Sequence, residues 1–177
     1  MNESRIRKLG LRVSGKSCKT IKNYANEARK ILGYEFKEYI NMASLMEIFI
    51  HNDMLIILED NDERVQQKYA YTHPDKGKIY VRDSVYNNAF DGDPRARFTV
   101  AHEIGHLIMH KEQEIFARST CNQHKIYEDS EWQADVFAAS FLINQIFVAD
   151  DMNAQEIANK FGVSLAAAES WMKYKNK

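Results

Sequence analysis

Apolar positions recur at helix spacing from Ser17 onward. Ile21, Tyr24, Ala25, Ala28, Ile31 and Leu32 form one stripe, and Gly33 ends it. A second helical run covers about Glu35 to His51, with Phe36, Tyr39, Ile40, Ala43, Leu45, Met46, Ile48 and Phe49 as its apolar content. The period then changes. Met54 to Leu58 reads as a buried strand and Val65 to Tyr71 as a second. His73-Pro74-Asp75-Lys76-Gly77 has turn chemistry, and Lys78 to Arg82 is a third strand. Residues 83–92 read as a loop. Asp93 can cap a helix whose first turn accepts Pro94, and that helix can run to about Lys111. After a connection over 112–129, Ser130 to Ile143 is a strongly apolar helix with an N-cap. The tail, 153–177, opens on a capping box at Asn153 and Glu156. It then reads as helix, tight turn at Gly162, N-cap at Ser164 and a last helix from Leu165 to Tyr174, a helix-turn-helix-like pair. The order predicts one α+β domain over 1–177: two N-terminal helices, a small three-stranded antiparallel sheet with helices on one side, two further helices and the tail pair.

Composition narrows the class. Of 177 residues, 45% are apolar or aromatic and two are Pro, enough for a core and against general disorder. Cys18 and Cys121 are too few and too far apart for a disulfide framework or a Cys-x-x-Cys metal site. Reduced thiols in a cytosol fit best. The start lacks a signal-like apolar region, and no apolar run approaches a membrane span. A soluble, cytoplasmic chain without membrane contact is expected. The net charge of −1 favours no partner, but its distribution is uneven: residues 1–30 carry +7 and the remainder −8. Residues 1–16 read as a basic N-terminal arm, able to touch nucleic acid but more simply solvated or docked on the acidic body.

The chemistry lies in the helix after Pro94, which contains His-Glu-x-x-His. His102 and His106 are four apart and stand one above the other on one face. Two imidazoles so placed can offer nitrogens to one tetrahedral zinc ion. Glu103 is angularly close to that face and can move a proton between water and a leaving amine. Ala101, Ile104, Leu107 and Ile108 mark the opposite, packed face.

A hydrolytic zinc site needs a third protein ligand. His110 is about 12 Å beyond His102 along an unbroken helix, too far to share the ion. No Gly follows His106 to turn the chain back. His110 is therefore read as a histidine that packs in the core, caps the helix or backs a ligand from behind. The helix from Ser130 offers Glu131 and Asp135 on one face, beside Ala134, Phe137, Ala138 and Phe141. Glu131 is assigned as the third ligand, and Asp135 as acceptor for the spare N–H of a ligand histidine. Glu128 and Asp129, reaching in from the loop, are the rivals.

Arg-x-Arg-Phe-Thr-x-Ala-His-Glu-Ile-Gly-His-Leu-Ile-x-His followed by Glu-x-x-Ala-Asp-x-Phe-Ala-Ala resembles the ImmA/IrrE family of metallo-endopeptidases. The resemblance covers roughly residues 50 to 170, with the strong signal at 95–110 and 131–142. It implies a zincin of the gluzincin type, in which Glu-x-x-x-Asp supplies the glutamate ligand. It also implies a cytoplasmic enzyme of bacteria and their mobile elements, in a family of which several members are tied to cleavage of a partner transcriptional repressor. One departure shows. Family members usually carry a Leu-Leu-x-Pro pattern after the second helix, where this chain reads Phe141-Leu142-Ile143-Asn144.

The reading is a zinc endopeptidase with one ion held by His102, His106 and Glu131, and Glu103 as catalytic base and then acid. Its substrate is another protein, by resemblance a helix-turn-helix repressor. Arg97, Tyr69, His73, Arg118, His124 and Tyr127 are open candidates for polarising a scissile carbonyl, none singled out. An exposed edge strand beside the metal helix is expected to hold an extended peptide. The competing reading is a non-proteolytic metal-binding module that contacts a partner or DNA through its tail. The last helix shows Ala166, Ala167, Glu169 and Ser170 where a base reader needs Arg, Lys, Asn or Gln, which argues against nucleic acid.

Overall fold

The computed structural model describes residues 10–66, 68–110 and 124–175. The rest of the basic arm, Arg118 and Cys121 lie outside them. The fold is α+β, with seven α-helices and a three-stranded sheet among the described residues. In chain order these are α1 (Cys18–Ile31), α2 (Met42–His51), β1 (Leu55–Leu58), β2 (Ala70–His73), β3 (Lys78–Arg82), α3 (Asp83–Phe90), α4 (Pro94–Met109), α5 (Ser130–Leu142), α6 (Ala154–Phe161) and α7 (Leu165–Tyr174). None of these helices is long and apolar enough to cross a membrane.

The sheet is mixed, not antiparallel. Its order is β1-β3-β2, with β3 antiparallel to β2 and parallel to β1. The tight turn at Gly77, φ 64°, makes β2 and β3 a hairpin. β3 carries Ile79 and Val81, both fully buried, and takes the centre. β2 is left as an edge strand and packs beside α4.

Further expectations change, the second strand among them, which runs Ala70–His73 rather than Val65 to Tyr71 because Glu63–Val65 form a 3-10 turn. The second helix starts at Met42 rather than Glu35, because other side chains use the preceding backbone. Asn144 donates to Glu35 O, Arg29 to Lys37 O, and Arg97 to Ile40 O, and Asn41 then caps α2 through Ser44 N. Residues 83–92 are not a loop but hold α3. Its N-terminus is capped by Asp60, whose carboxylate accepts from Ser84 N at 3.0 Å, a partner too distant to be read locally.

The basic N-terminal region is docked where it is described. Arg12 pairs with Glu128 at 3.1 Å and forms an isolated antiparallel bridge with Asp129. Lys22 donates to Tyr174 O and Lys175 O at the end of α7, and buried Arg29 donates to Phe141 O at the end of α5. Cations belong at helix C-termini, where carbonyls are unpaired and the dipole is negative.

α4 and α5 form the centre. A Cβ on Gly105 would stand 2.9 Å from the Phe137 ring, so glycine lets the two helices approach. That approach brings the polar shoulder of α5 over the histidines of α4. α5 ends at Leu142. Asn144 caps the next turn through Ile146 N while its amide holds Glu35 O.

Candidate metal centre

Ligand atoms of His102, His106 and Glu131 all lie within 4.8 Å of one another. His102 Nε2 is 3.0 Å from His106 Nε2 and 3.3 Å from Glu131 Oε2, and His106 Nε2 is 3.5 Å from Glu131 Oε1. The donor set is therefore two imidazole nitrogens and one carboxylate facing a common point, a set that suits a divalent metal ion. Each imidazole is held from behind. His102 Nδ1 lies 2.9 Å from Asp135 Oδ1, so the ring donates there and turns Nε2 to the cluster. His106 Nδ1 lies 2.8 Å from Nδ1 of His110.

Glu128 and Asp129 stand elsewhere. Asp129 is fully buried. It caps α5 through Trp132 N at 2.8 Å, accepts from Gly10 N at 2.7 Å and contacts His124 Nε2 at 2.9 Å. Glu128 is spent on Arg12 and on Lys125 N. Three of the open candidates also have structural partners. Arg97 is buried under backbone carbonyls, His124 pairs with Asp129, and the Tyr69 ring lies under the guanidinium groups of Arg82 and Arg95. Tyr127 is exposed beside Lys125, and His73 closes β2.

The metal-free electrostatics follow from packing. Burial pulls the His102 pKa down. The hydrogen bonds to Asp135 and Glu131, with the charges of Asp135 and Glu103, overcome it and raise the value to about 10. Glu131 is driven well below the usual carboxylate range by its hydrogen bonds to His102 and His106. His110 moves the other way, down to about 4, through burial and then the charge of His106. A metal ion must displace the His102 proton, which is bound below about pH 10. Apparent affinity for zinc is thus expected to climb by up to about tenfold per pH unit from pH 7 toward 9, and to fall as the medium is acidified. Competition with a chromophoric chelator across that range measures it.

Thr72 is a residue that the sequence reading missed. It sits on edge strand β2, and its hydroxyl lies 2.6 Å from Glu103 Oε2 and 2.9 Å from Glu103 O. Glu103 is itself 7% exposed, so a side chain from the sheet fixes the free acid of the motif.

The sequence profile of the Peptidase_M78 family, described as the IrrE N-terminal-like domain, matches residues 52–171. The chain belongs to the Peptidase_M78 family. Neither the curated proteins nor the solved structures yielded a match. Membership supports a peptidase-type hydrolase in general terms, and the matched span of this Peptidase_M78 chain contains every residue of the His-Glu cluster. It excludes residues 10–16, which pair with 127–130 against the start of α5.

Proposed function

We propose that this chain is a zinc-dependent endopeptidase of the gluzincin type, with a zincin-like arrangement of α4, α5 and the sheet. The observation that carries the reading is the convergence of His102, His106 and Glu131 beside a separate carboxylate, Glu103, tethered to an edge strand. A structural metal site has no use for that fourth group.

When bound, zinc acts as a Lewis acid toward water and a carbonyl oxygen. His102, His106 and Glu131 hold the ion. Asp135 keeps the His102 ring with Nε2 forward. Glu103 accepts the proton of the attacking water and returns it to the leaving amine, so one carboxylate serves as base and then acid. Thr72 holds that carboxylate and carries it at a fixed place relative to β2. A substrate segment paired along the outer edge of β2 would run past Glu103 in extended form. A cavity of about 550 Å³ between α4, α5 and α7 reaches Asp135 and is lined by Phe98, Trp132 and Trp171, which gives apolar substrate side chains a place beside the cleft.

The substrate is another protein, and the family resemblance favours a helix-turn-helix repressor. The test is metal removal and return. The full chain is stripped with a chelator, dialysed, reloaded with one equivalent of zinc, manganese or iron, and incubated with a repressor encoded beside it. Cleavage lost on stripping and restored best by zinc is expected. Cleavage indifferent to stripping, or absent from a chain that holds one zinc ion, would overturn the reading.

A further inference from the structure

We propose that α7, the second member of the helix-turn-helix-like pair, is the specificity wall of the peptidase. With α4 and α5 it encloses a pocket that takes one bulky apolar side chain of the substrate, phenylalanine or leucine in kind, within two residues of the scissile bond. This rests on the peptidase reading given above and adds a substrate class to it.

The cavity of about 550 Å³ continues the groove that holds the metal cluster. α4 and α5 run antiparallel there, since His106 faces Glu131 and His102 faces Asp135. The next pair along the groove is Phe98, one turn before His102, and Ala139, one turn after Asp135, and both line the cavity. One turn is about 5.4 Å along a helix, and an extended peptide advances about 3.3 Å per residue. A side chain in the cavity therefore belongs to a residue one or two places from the bond over the metal position. The cavity also meets the substrate path along β2. Arg95 lines it and stands over the ring of Tyr69, the residue before β2.

The walls decide the occupant. Trp132 of α5 and Trp171 of α7 are buried, and Phe98 is half-buried. Of the four α7 positions where a base reader needs Arg, Lys, Asn or Gln, three line the cavity: Ala166, Ala167 and Ser170. Their small side chains leave the volume open, and the aromatic rings supply the contact. The two charged lining groups are engaged already, Asp135 with His102 and Arg95 with the Tyr69 ring. An apolar guest leaves no new charge unpaired, whereas a lysine or glutamate would be desolvated among aromatic walls. α7 is held at both ends. Arg97 of α4 donates to Phe161 O and Gly162 O at the turn before it, and Lys22 donates to Tyr174 O and Lys175 O at its end. The face that a helix-turn-helix would turn to DNA is turned here to the cleft.

Both tryptophans of the chain line the cavity, so intrinsic fluorescence reads its occupancy without turnover. The probes are blocked alanine pentapeptides with phenylalanine, alanine or lysine at the centre, titrated into the full chain with and without one equivalent of zinc. A saturable change is expected with the phenylalanine peptide, at least about tenfold tighter than with alanine, and none with lysine. Ser170→Phe, at an exposed position of α7, is expected to abolish it, and Ala167→Leu to weaken it by narrowing the same space. In parallel, the zinc-loaded chain digests a peptide library from a denatured proteome. Cleavage sites are expected to favour phenylalanine or leucine at one position within two residues of the bond, and Ser170→Phe to erase that preference. A titration without preference for phenylalanine, cleavage indifferent to the neighbouring residues, or a preference that survives both variants would overturn the proposal. If neither variant folds, the titration of the unaltered chain decides. Selective binding of the phenylalanine peptide by a zinc-loaded chain that cleaves nothing would sink the peptidase reading and leave the apolar pocket standing.

Discussion

Glu103→Gln is expected to lower cleavage of the protein substrate about a thousandfold while one zinc ion per chain remains bound. General acid–base catalysis typically contributes about 10²- to 10⁴-fold, and an amide at this position can neither take nor return a proton. The substitution keeps the volume of a side chain that is 7% exposed. The amide oxygen can still accept from Thr72, so the local contact survives. Glu103 is not among the three residues that converge as a donor set. Zinc content by elemental analysis and turnover of the proposed protein substrate are therefore expected to separate. Loss of both together would make Glu103 a part of the metal site. Equal turnover of the two forms would favour the metal-binding module without protease activity. Thr72→Val removes only the tether and is expected to cost less, about tenfold in kcat, with zinc unchanged.

Residues 94–142 were the most legible part of the chain because their information is local. Spacing of four put His102 above His106, a run of apolar residues marked α5, and the same spacing put Glu131 and Asp135 on one shoulder of that apolar helix. What sequence could not convey is long-range. Thr72 meets Glu103 across 31 residues, and Gln133 meets Ser14 across 119, with no periodic pattern to announce either contact. Helix α3 was hidden for the same reason, since its cap comes from Asp60. The stretch 35–41 has helical periodicity yet is not helix, because Arg29, Arg97 and Asn144 bind its carbonyls. Strand order escaped as well. Three apolar runs do not reveal which goes in the middle, and here the last in sequence lies between the other two.

Arg97 shows how a candidate for catalysis becomes a structural tie, and it carries the largest expected effect on stability. Its guanidinium donates from Nε to Gly162 O at 3.0 Å, from Nη1 to Ile40 O at 2.9 Å and from Nη2 to Phe161 O at 3.2 Å. It also lies 4.1 Å from the Tyr39 ring and donates to the Tyr39 hydroxyl. It is 1% exposed, and burial lowers its pKa. The charge is tolerated because two of the acceptors close the C-terminus of α6, where a cation is favoured. Arg97→Met keeps much of the packing but leaves three carbonyls without a donor. Each costs about 1–3 kcal/mol when buried and unpaired, with partial relief from water, so a loss of about 4 kcal/mol is expected. For a chain of this size that corresponds to roughly 10 °C in the thermal midpoint. Arg97→Lys should recover less than half, since one ammonium cannot reach three carbonyls set around a planar fork. Denaturant unfolding of the metal-free chain measures the loss. The folded fraction of Arg97→Met is expected to hold zinc and turn over substrate at the unaltered rate per folded molecule. A fall in that rate with little change in stability would return Arg97 to the list of groups acting on the scissile carbonyl.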